Sequence, residues 1–379
     1  MFDYLSLDDE LTEEERAVRD QAREFVDSLR PRLGEMFLDG EFPDVFEELG
    51  DRGLLAPHLR DGSARAYGVA MRELEAGDSG LRSAASVQGA LVAYPVSRYG
   101  TEAQRERYLD PLLDGEIVGC FALTEPEAGS APHEMEATAR KDGDEYVLNG
   151  TKRWVTNAPI ADVAVVWARD GGGDGEVRGF LVPMDADGVR VEPIEGLLSL
   201  RISESAELEL DGVRVPDAAA LDVRGMRGPL SCLNQARYGI AWGAVGAARD
   251  AFEHALEYAK EREQWGRPVA GFQAQQEKFA DCATKITTAE LLARRLATLK
   301  ERDRLEPHHV SMGKRHSAQV AREVTRIARE VMGGNGVLAD HPPMRHMLNA
   351  ETVYTYEGSH DIHSLIMGAE MTGEPAFDR

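Results

Sequence analysis

Tyr146-Val147-Leu148, Val163-Ala164-Val165-Val166-Trp167 and Gly179-Phe180-Leu181-Val182 are short β-rich runs in a chain whose texture is otherwise helical. Turn formers stand between them, Asn149-Gly150 and Gly171-Gly172-Gly173. Runs this short, bounded in this way, read as strands. They predict a small antiparallel β-domain over residues 118–227.

Towards the N-terminus the period changes. Thr12-x-x-Glu15 fits a capping box, after which Val18, Ala22, Phe25, Val26 and Leu29 recur at helical spacing until Pro31. Further short helices are expected to about residue 115, making 1–117 a helical domain. Beyond Gly228-Pro229 the helical period returns in three long sets: Val245, Ala248, Phe252, Ala255, Ala259; Phe279, Cys282, Ile286, Ala289, Ala293, Leu296; and Val320, Val324, Ile327, Val331. Spacings of three and four place each set on one helix face, and long helices of this kind build a bundle, here over 228–379. The expected class is α+β, mostly α, in the order helices, strands, bundle.

Composition bounds what such a chain can do. It has 379 residues, with 67 acidic against 43 basic side chains and a net charge of −24. That charge repels phosphate backbones and anionic bilayers, so no nucleic-acid or membrane partner is expected. Cys120, Cys232 and Cys282 are odd in number and widely spaced, as buried thiols in a reducing compartment would be. Met1 to Glu15 is acidic where a targeting peptide would be basic, which points to the cytoplasm. Only seven lysines stand among the 43 basic residues. An acidic, lysine-poor surface suits a salty cytoplasm, where screening removes self-repulsion, and G+C-rich coding is the rival explanation for the arginines.

Phosphate-loop and dinucleotide glycine motifs are absent. His308 and His309 are adjacent on a helix, so their side chains diverge, and no metal site is expected. Ser231-Cys232 lacks the context of a nucleophile. The distinctive phrases are Phe121-Ala-Leu-Thr-Glu-Pro-Glu-Ala-Gly-Ser130, Trp154-Val-Thr-Asn157, Arg262-Glu-Gln-Trp-Gly266, Gly333-Gly-Asn-Gly336 and Tyr356-Glu-Gly-Ser-His-Asp-Ile-His363. Taken singly each reads as a turn, strand end or cap. Together they resemble the acyl-CoA dehydrogenase family over residues 67–377.

The resemblance implies a flavoenzyme with an N-terminal helical domain, a middle β-domain and a C-terminal four-helix bundle, assembled as a homotetramer, a dimer of dimers. It places FAD against Phe121, Leu123, Thr124, Gly129, Ser130, Trp154, Thr156, Ser359 and Asp361. Arg262, Gln273, Glu330, Gly333 and Gly334 match segments that reach a neighbouring subunit's FAD. Acyl-CoA contacts fall on Ser130, Asn234, Arg237 and Gly358, and Glu357 matches the catalytic base. Electrons are implied to pass to an electron-transfer flavoprotein. Within the family the chain is most similar to the glutaryl-CoA dehydrogenases, through Leu81-Arg82-Ser83-Ala84-Ala85-Ser86-Val87-Gln88, Arg237-Tyr-Gly-Ile-Ala-Trp242 and the Tyr356 segment. This places Arg82 at the end of the acyl pocket, with Glu75, Ser83, Ser86 and Tyr356 as polar neighbours. A buried arginine there matches a distal carboxylate, which implies oxidation and decarboxylation of glutaryl-CoA to crotonyl-CoA. Alternatives are a short-chain or dicarboxyl-CoA dehydrogenase without decarboxylation, and a non-catalytic flavin-binding paralogue. Without the resemblance, Arg82 reads as a helix-surface charge paired with Glu75 or Asp78.

Overall fold

The capping box at Thr12 is formed as its spacing predicts: the Thr12 hydroxyl accepts from the Glu15 N–H at 3.2 Å, and the Glu15 carboxylate accepts from the Thr12 N–H at 3.0 Å. The structure, a computed structural model, describes residues 2–171 and 173–377. Gly172 of the predicted turn and Met1 lie outside the described residues. The helix started at Thr12 is α1 (Glu13–Leu29), followed by α2 (Leu33–Asp39), α3 (Phe46–Asp51), α4 (Ala64–Gly77), α5 (Ser79–Ser86), α6 (Tyr94–Tyr99) and α7 (Glu102–Asp114). Between α5 and α6, Val87–Ala93 continues the run as a π-helix, a rare geometry that concentrates at functional sites. Nearly every residue of α4 and α5 is buried. Both are therefore central helices rather than a surface layer.

The middle sheet has eight strands: β1 (Gly119–Ala122), β2 (Thr138–Asp142), β3 (Glu145–Thr156), β4 (Val163–Asp170), β5 (Val177–Pro183), β6 (Val189–Pro193), β7 (Ser205–Pro216) and β8 (Ala220–Arg224). Their order is β6-β7-β3-β2-β4-β5-β8, with β1 added on β4. The sheet departs from the antiparallel one that its turns predict, because β1 and β2 both pair with β4 in parallel. Neither is joined to β4 by a hairpin, so turn residues could not report those pairings. Asn149-Gly150 is likewise no turn. It lies inside β3 at a register shift against β7, with Gly150 at φ +143°, and Asn149 Oδ1 accepts from the Gly212 N–H at 2.9 Å. An isolated strand glycine marks such a bulge. Alternation along β4 builds two cores: Val163, Val165 and Trp167 join the helical core, while Ala164, Val166 and Ala168 pack with Phe180 and Leu208.

The predicted periodic sets fall on α8 (Arg227–Glu261), α9 (Gln273–Glu301) and α10 (Pro307–Val331), which with α11 (Pro342–Thr355) form the bundle; α12 (His360–Thr372) closes it. Val245, Ala248, Phe252, Cys282, Ile286, Ala289, Val320 and Val324 share one core. A small hairpin, β9 (Glu263–Gln264) with β10 (Arg267–Pro268), links α8 to α9. All three cysteines are free and buried. Among the described residues no group of three or more His, Cys, Asp or Glu could hold a metal ion, and no helix is long and apolar enough to cross a membrane.

Candidate active site

Arg82 stands one turn into α5, and the cap of that helix sets its position. The buried Asp78 carboxylate accepts from the Gly80 N–H at 2.8 Å, from Arg345 Nη1 at 3.1 Å and from Asn349 Nδ2 at 3.0 Å, so α11 holds the start of α5. Arg82 is 0 % exposed, which excludes the surface reading although its pairing with Glu75 is real. Its Nε donates to Glu75 Oε2 at 2.6 Å, and its Nη2 donates to the Tyr356 hydroxyl. Nη1 is buried with no hydrogen-bond partner among the described residues. Glu75 accepts a second bond from Ser79 Oγ at 2.9 Å. Gly243 of α8 makes room for the pair: a Cβ there would overlap the Glu75 carboxylate and lie 3.2 Å from Arg82 Nε. Ser83 and Ser86 are buried on the same helix, with Ser86 Oγ accepting from the Tyr67 hydroxyl at 3.5 Å.

Glu357 lies in the turn between α11 and α12 at φ +51°, a left-handed conformation that costs a non-glycine residue about 1 kcal/mol or more. Three donated hydrogen bonds hold the turn. Arg237 Nε donates to the Glu357 carbonyl at 2.6 Å, and Lys314 Nζ donates to the Gly358 carbonyl at 2.6 Å and to the Tyr356 carbonyl. Gly358 is at φ +98°, and a Cβ there would stand 3.0 Å from His363 Nε2 and 3.2 Å from Arg237 Nη2. Glu357 Oε2 is buried with no hydrogen-bond partner among the described residues. Burial pushes its carboxyl above the usual range, opposed by the charges of Arg82, Lys314 and Arg237. An orphaned carboxylate oxygen and an orphaned guanidinium nitrogen, joined through Tyr356, are the two polar ends of a site whose missing partners a ligand would supply.

A second group of predicted residues lines the sheet side. Phe121 is on β1, and Leu123 and Thr124 follow it into a loop that reaches Gly129 and Ser130. Lys152, fully buried on β3, pins this loop by donating to the Leu123 carbonyl at 3.0 Å and to Glu125 Oε1 at 2.7 Å. The Thr124 carbonyl accepts from the Arg153 N–H at 2.8 Å. No heavy atom lies within 4 Å of a Cβ built on Gly129. Trp154, at φ +61°, is 54 % exposed, and Thr156 ends β3. Asn157 docks this edge on α5, its Nδ2 donating to the Ala84 carbonyl at 3.3 Å and to the Gly119 carbonyl at 3.2 Å. Ser359 caps α12 by accepting from the Ile362 N–H at 3.3 Å, and Asp361 is in that helix's first turn. Hydroxyls, open glycine backbone and an exposed indole fit a planar cofactor carrying a polyhydroxyl chain.

Asn234 and Arg237 share one face of α8, with Arg237 Nη1 donating to Asn234 Oδ1 at 3.4 Å. Asn234 also lines a cavity of about 290 Å³ with Ser231, Gln235 and Lys300. Arg262, Gln273, Glu330, Gly333 and Gly334 are not brought to Glu357. All five are exposed around the β9–β10 hairpin and the end of α10, where Trp265 is 93 % exposed. Sequence reasoning missed Lys152, Gly243 and Lys314. Lys314 carried a signal, since it stands at helical spacing among the small or apolar residues Val310, Ser317 and Ala321 and is one of only seven lysines.

Helices, sheet and bundle together leave a buried carboxylate oxygen and a buried guanidinium nitrogen without partners among the described residues, an arrangement suited to acid–base chemistry on a bound polar ligand. Residues 12–116, 120–213 and 223–372 match the N-terminal, middle and C-terminal domains of acyl-CoA dehydrogenase. The chain belongs to the acyl-CoA dehydrogenase family. It is 34 % identical over 377 residues to the probable acyl-CoA dehydrogenase YngJ of Bacillus subtilis, covering 96 % of this chain and 99 % of the relative. With the short-chain specific acyl-CoA dehydrogenase of Bos taurus mitochondria it is 32 % identical over 374 residues, 96 % of this chain and 91 % of the relative. Among solved structures, a glutaryl-CoA dehydrogenase from Mycobacterium smegmatis in complex with FADH2 superposes with a TM-score of 0.96 at 41 % identity, covering 98 % of each chain.

Proposed function

We propose that this FAD-dependent enzyme oxidises glutaryl-CoA and decarboxylates the product to crotonyl-CoA and CO2. The observation that carries the reading is the buried guanidinium of Arg82, whose Nη1 has no partner among the described residues while Tyr356 links it to the Glu357 turn. A carboxylate at the far end of an acyl chain completes that guanidinium with a charge-assisted bond, whereas a methyl terminus leaves it orphaned.

Ionised Glu357 removes the proton α to the thioester, and its own backbone N–H donates to the thioester carbonyl as negative charge develops there. Bound FAD supplies the acceptor for the hydride from the β-carbon. The C–C bond to the distal carboxylate then breaks, CO2 leaves, and the electron pair delocalises onto the thioester carbonyl. Protonated Glu357 returns its proton to the terminal carbon, so one carboxyl is base and then acid. Thr124, Ser130, Trp154, Thr156 and Gly129 hold the flavin side, and Asn234 and Arg237 the CoA side. The exposed residues Arg262, Gln273, Glu330, Gly333 and Gly334 serve a neighbouring subunit's FAD, in a dimer of dimers that passes electrons to an electron-transfer flavoprotein. The exposed Trp265 beside them supports a subunit face.

A second reading, dehydrogenation of a short acyl-CoA without decarboxylation, has one observation in its favour: Glu75 already neutralises Arg82. Incubation with glutaryl-CoA and an electron acceptor separates the two. CO2 and crotonyl-CoA are expected; accumulated glutaconyl-CoA, or no reaction while butyryl-CoA turns over, replaces the first reading with the second.

A further inference from the structure

A lysine buried to 1 % exposure needs a reason, because its ammonium loses its hydration there. Lys314 of α10 has one: its Nζ donates to the carbonyls of Tyr356 and Gly358, the residues on either side of Glu357. Lys314 thus straddles a turn in which two successive residues, Glu357 at φ +51° and Gly358 at φ +98°, are left-handed. Its Nζ also lies 5.7 Å from the centroid of the Tyr356 ring, whose hydroxyl bonds Arg82. We propose that Lys314 is a positioning residue for the base, clamping from both sides the turn that presents Glu357.

The inference rests on Glu357 being the base. Charged and titratable groups face this clamp from every side: Glu357 and Tyr356 from the turn, Arg237 from α8, Arg82 from α5, Glu75 and Tyr67 from α4, and His363 from α12. Lys314 and Glu357 are of opposite sign, and each favours the charged form of the other. Burial pushes the ammonium down and the carboxyl up; Lys314 opposes that rise in the carboxyl together with Arg82 and Arg237, and Glu357 opposes the fall in the ammonium. Arg237 holds a third carbonyl of the same turn and also lowers the Glu357 carboxyl, while its charge disfavours the Lys314 ammonium. Removing the ammonium lets the carboxyl hold its proton to higher pH.

The test is the pH profile of kcat/KM for the flavin-loaded enzyme, with Lys314→Met, Lys314→Gln and Lys314→Arg compared at equal flavin content. In K314M and K314Q the acid limb moves upward by about one pH unit, the size of shift a nearby opposite charge produces. In K314R the limb stays near its wild-type position even where kcat falls. K314Q keeps a donor for the carbonyls, so it reports the charge when K314M does not fold. An unmoved limb in the neutral variants overturns the proposal, as does loss of flavin in all three, which marks a purely structural lysine. E357Q run alongside tells the two failures apart. Normal turnover of E357Q removes the base and the clamp with it; a dead E357Q with an unmoved K314Q limb removes only the clamp.

Discussion

Replacing Arg82 with Met puts the substrate reading under its sharpest strain. The guanidinium is 0 % exposed and bonds Glu75 Oε2 at 2.6 Å, leaving one nitrogen free for a ligand. Deleting one partner of a buried, hydrogen-bonded charge pair costs about 2–5 kcal/mol. Taking about 3 kcal/mol, kcat/KM for glutaryl-CoA falls roughly 150-fold. Butyryl-CoA has no carboxylate to lose, so its kcat/KM falls less than about tenfold. The substitution also strands the Glu75 carboxylate, which destabilises the fold by about 3 kcal/mol. The double variant R82M/E75Q removes that charge and recovers stability without recovering glutaryl-CoA turnover. Flavin bleaching by each thioester in a stopped-flow instrument, with thermal melts in parallel, reads both effects. Equal losses on the two substrates refute the assignment of Arg82 to a distal carboxylate.

Glu357→Gln keeps bound flavin, visible in its absorbance, but slows substrate-driven bleaching by about three orders of magnitude, in the range a general base contributes; ordinary turnover removes Glu357 from its role. Gly358→Ala forces a Cβ to 3.0 Å from His363 Nε2 at φ +98°, which lowers stability by about 1–2 kcal/mol and activity with it. A chemical-denaturation midpoint equal to wild type contradicts that. Burial pushes the Glu73 carboxyl up, but Arg249, Arg72 and Arg23 outweigh it and hold it down at about 2. The folded pKa lies below the unfolded 4.5, so this stabilisation is full above pH 4.5 and is lost as pH falls through about 2. Glu73→Gln therefore flattens the acid limb of stability against pH; an unchanged limb contradicts the pairing.

Much of the fold was legible because periodicity is local. The capping box of α1, the apolar faces of α8, α9 and α10 and the short apolar run of β4 all appear in short windows of sequence. Parallel pairing of β1 and β2 with β4 was not legible, since it depends on which strands meet after long excursions. Asn149-Gly150 was misread because a glycine needed for a bulge and one needed for a hairpin look alike in one dimension. At the site, the Tyr356 segment announced the base through its motif. Lys314, which holds that segment from 42 and 44 residues away, announced itself only as a lysine standing among small or apolar residues.

From its sequence alone this protein's element order, family and candidate base follow, because those are carried by neighbouring residues and by a motif. Whether Arg82 is a solvated surface charge or the polar end of a pocket follows only from tertiary structure. Its partner Tyr356 is 274 residues away, and the space around it exists because α8 offers Gly243 where any larger side chain would collide. Burial and the loss of a hydrogen-bond partner are properties of packing, and packing is settled when distant segments meet.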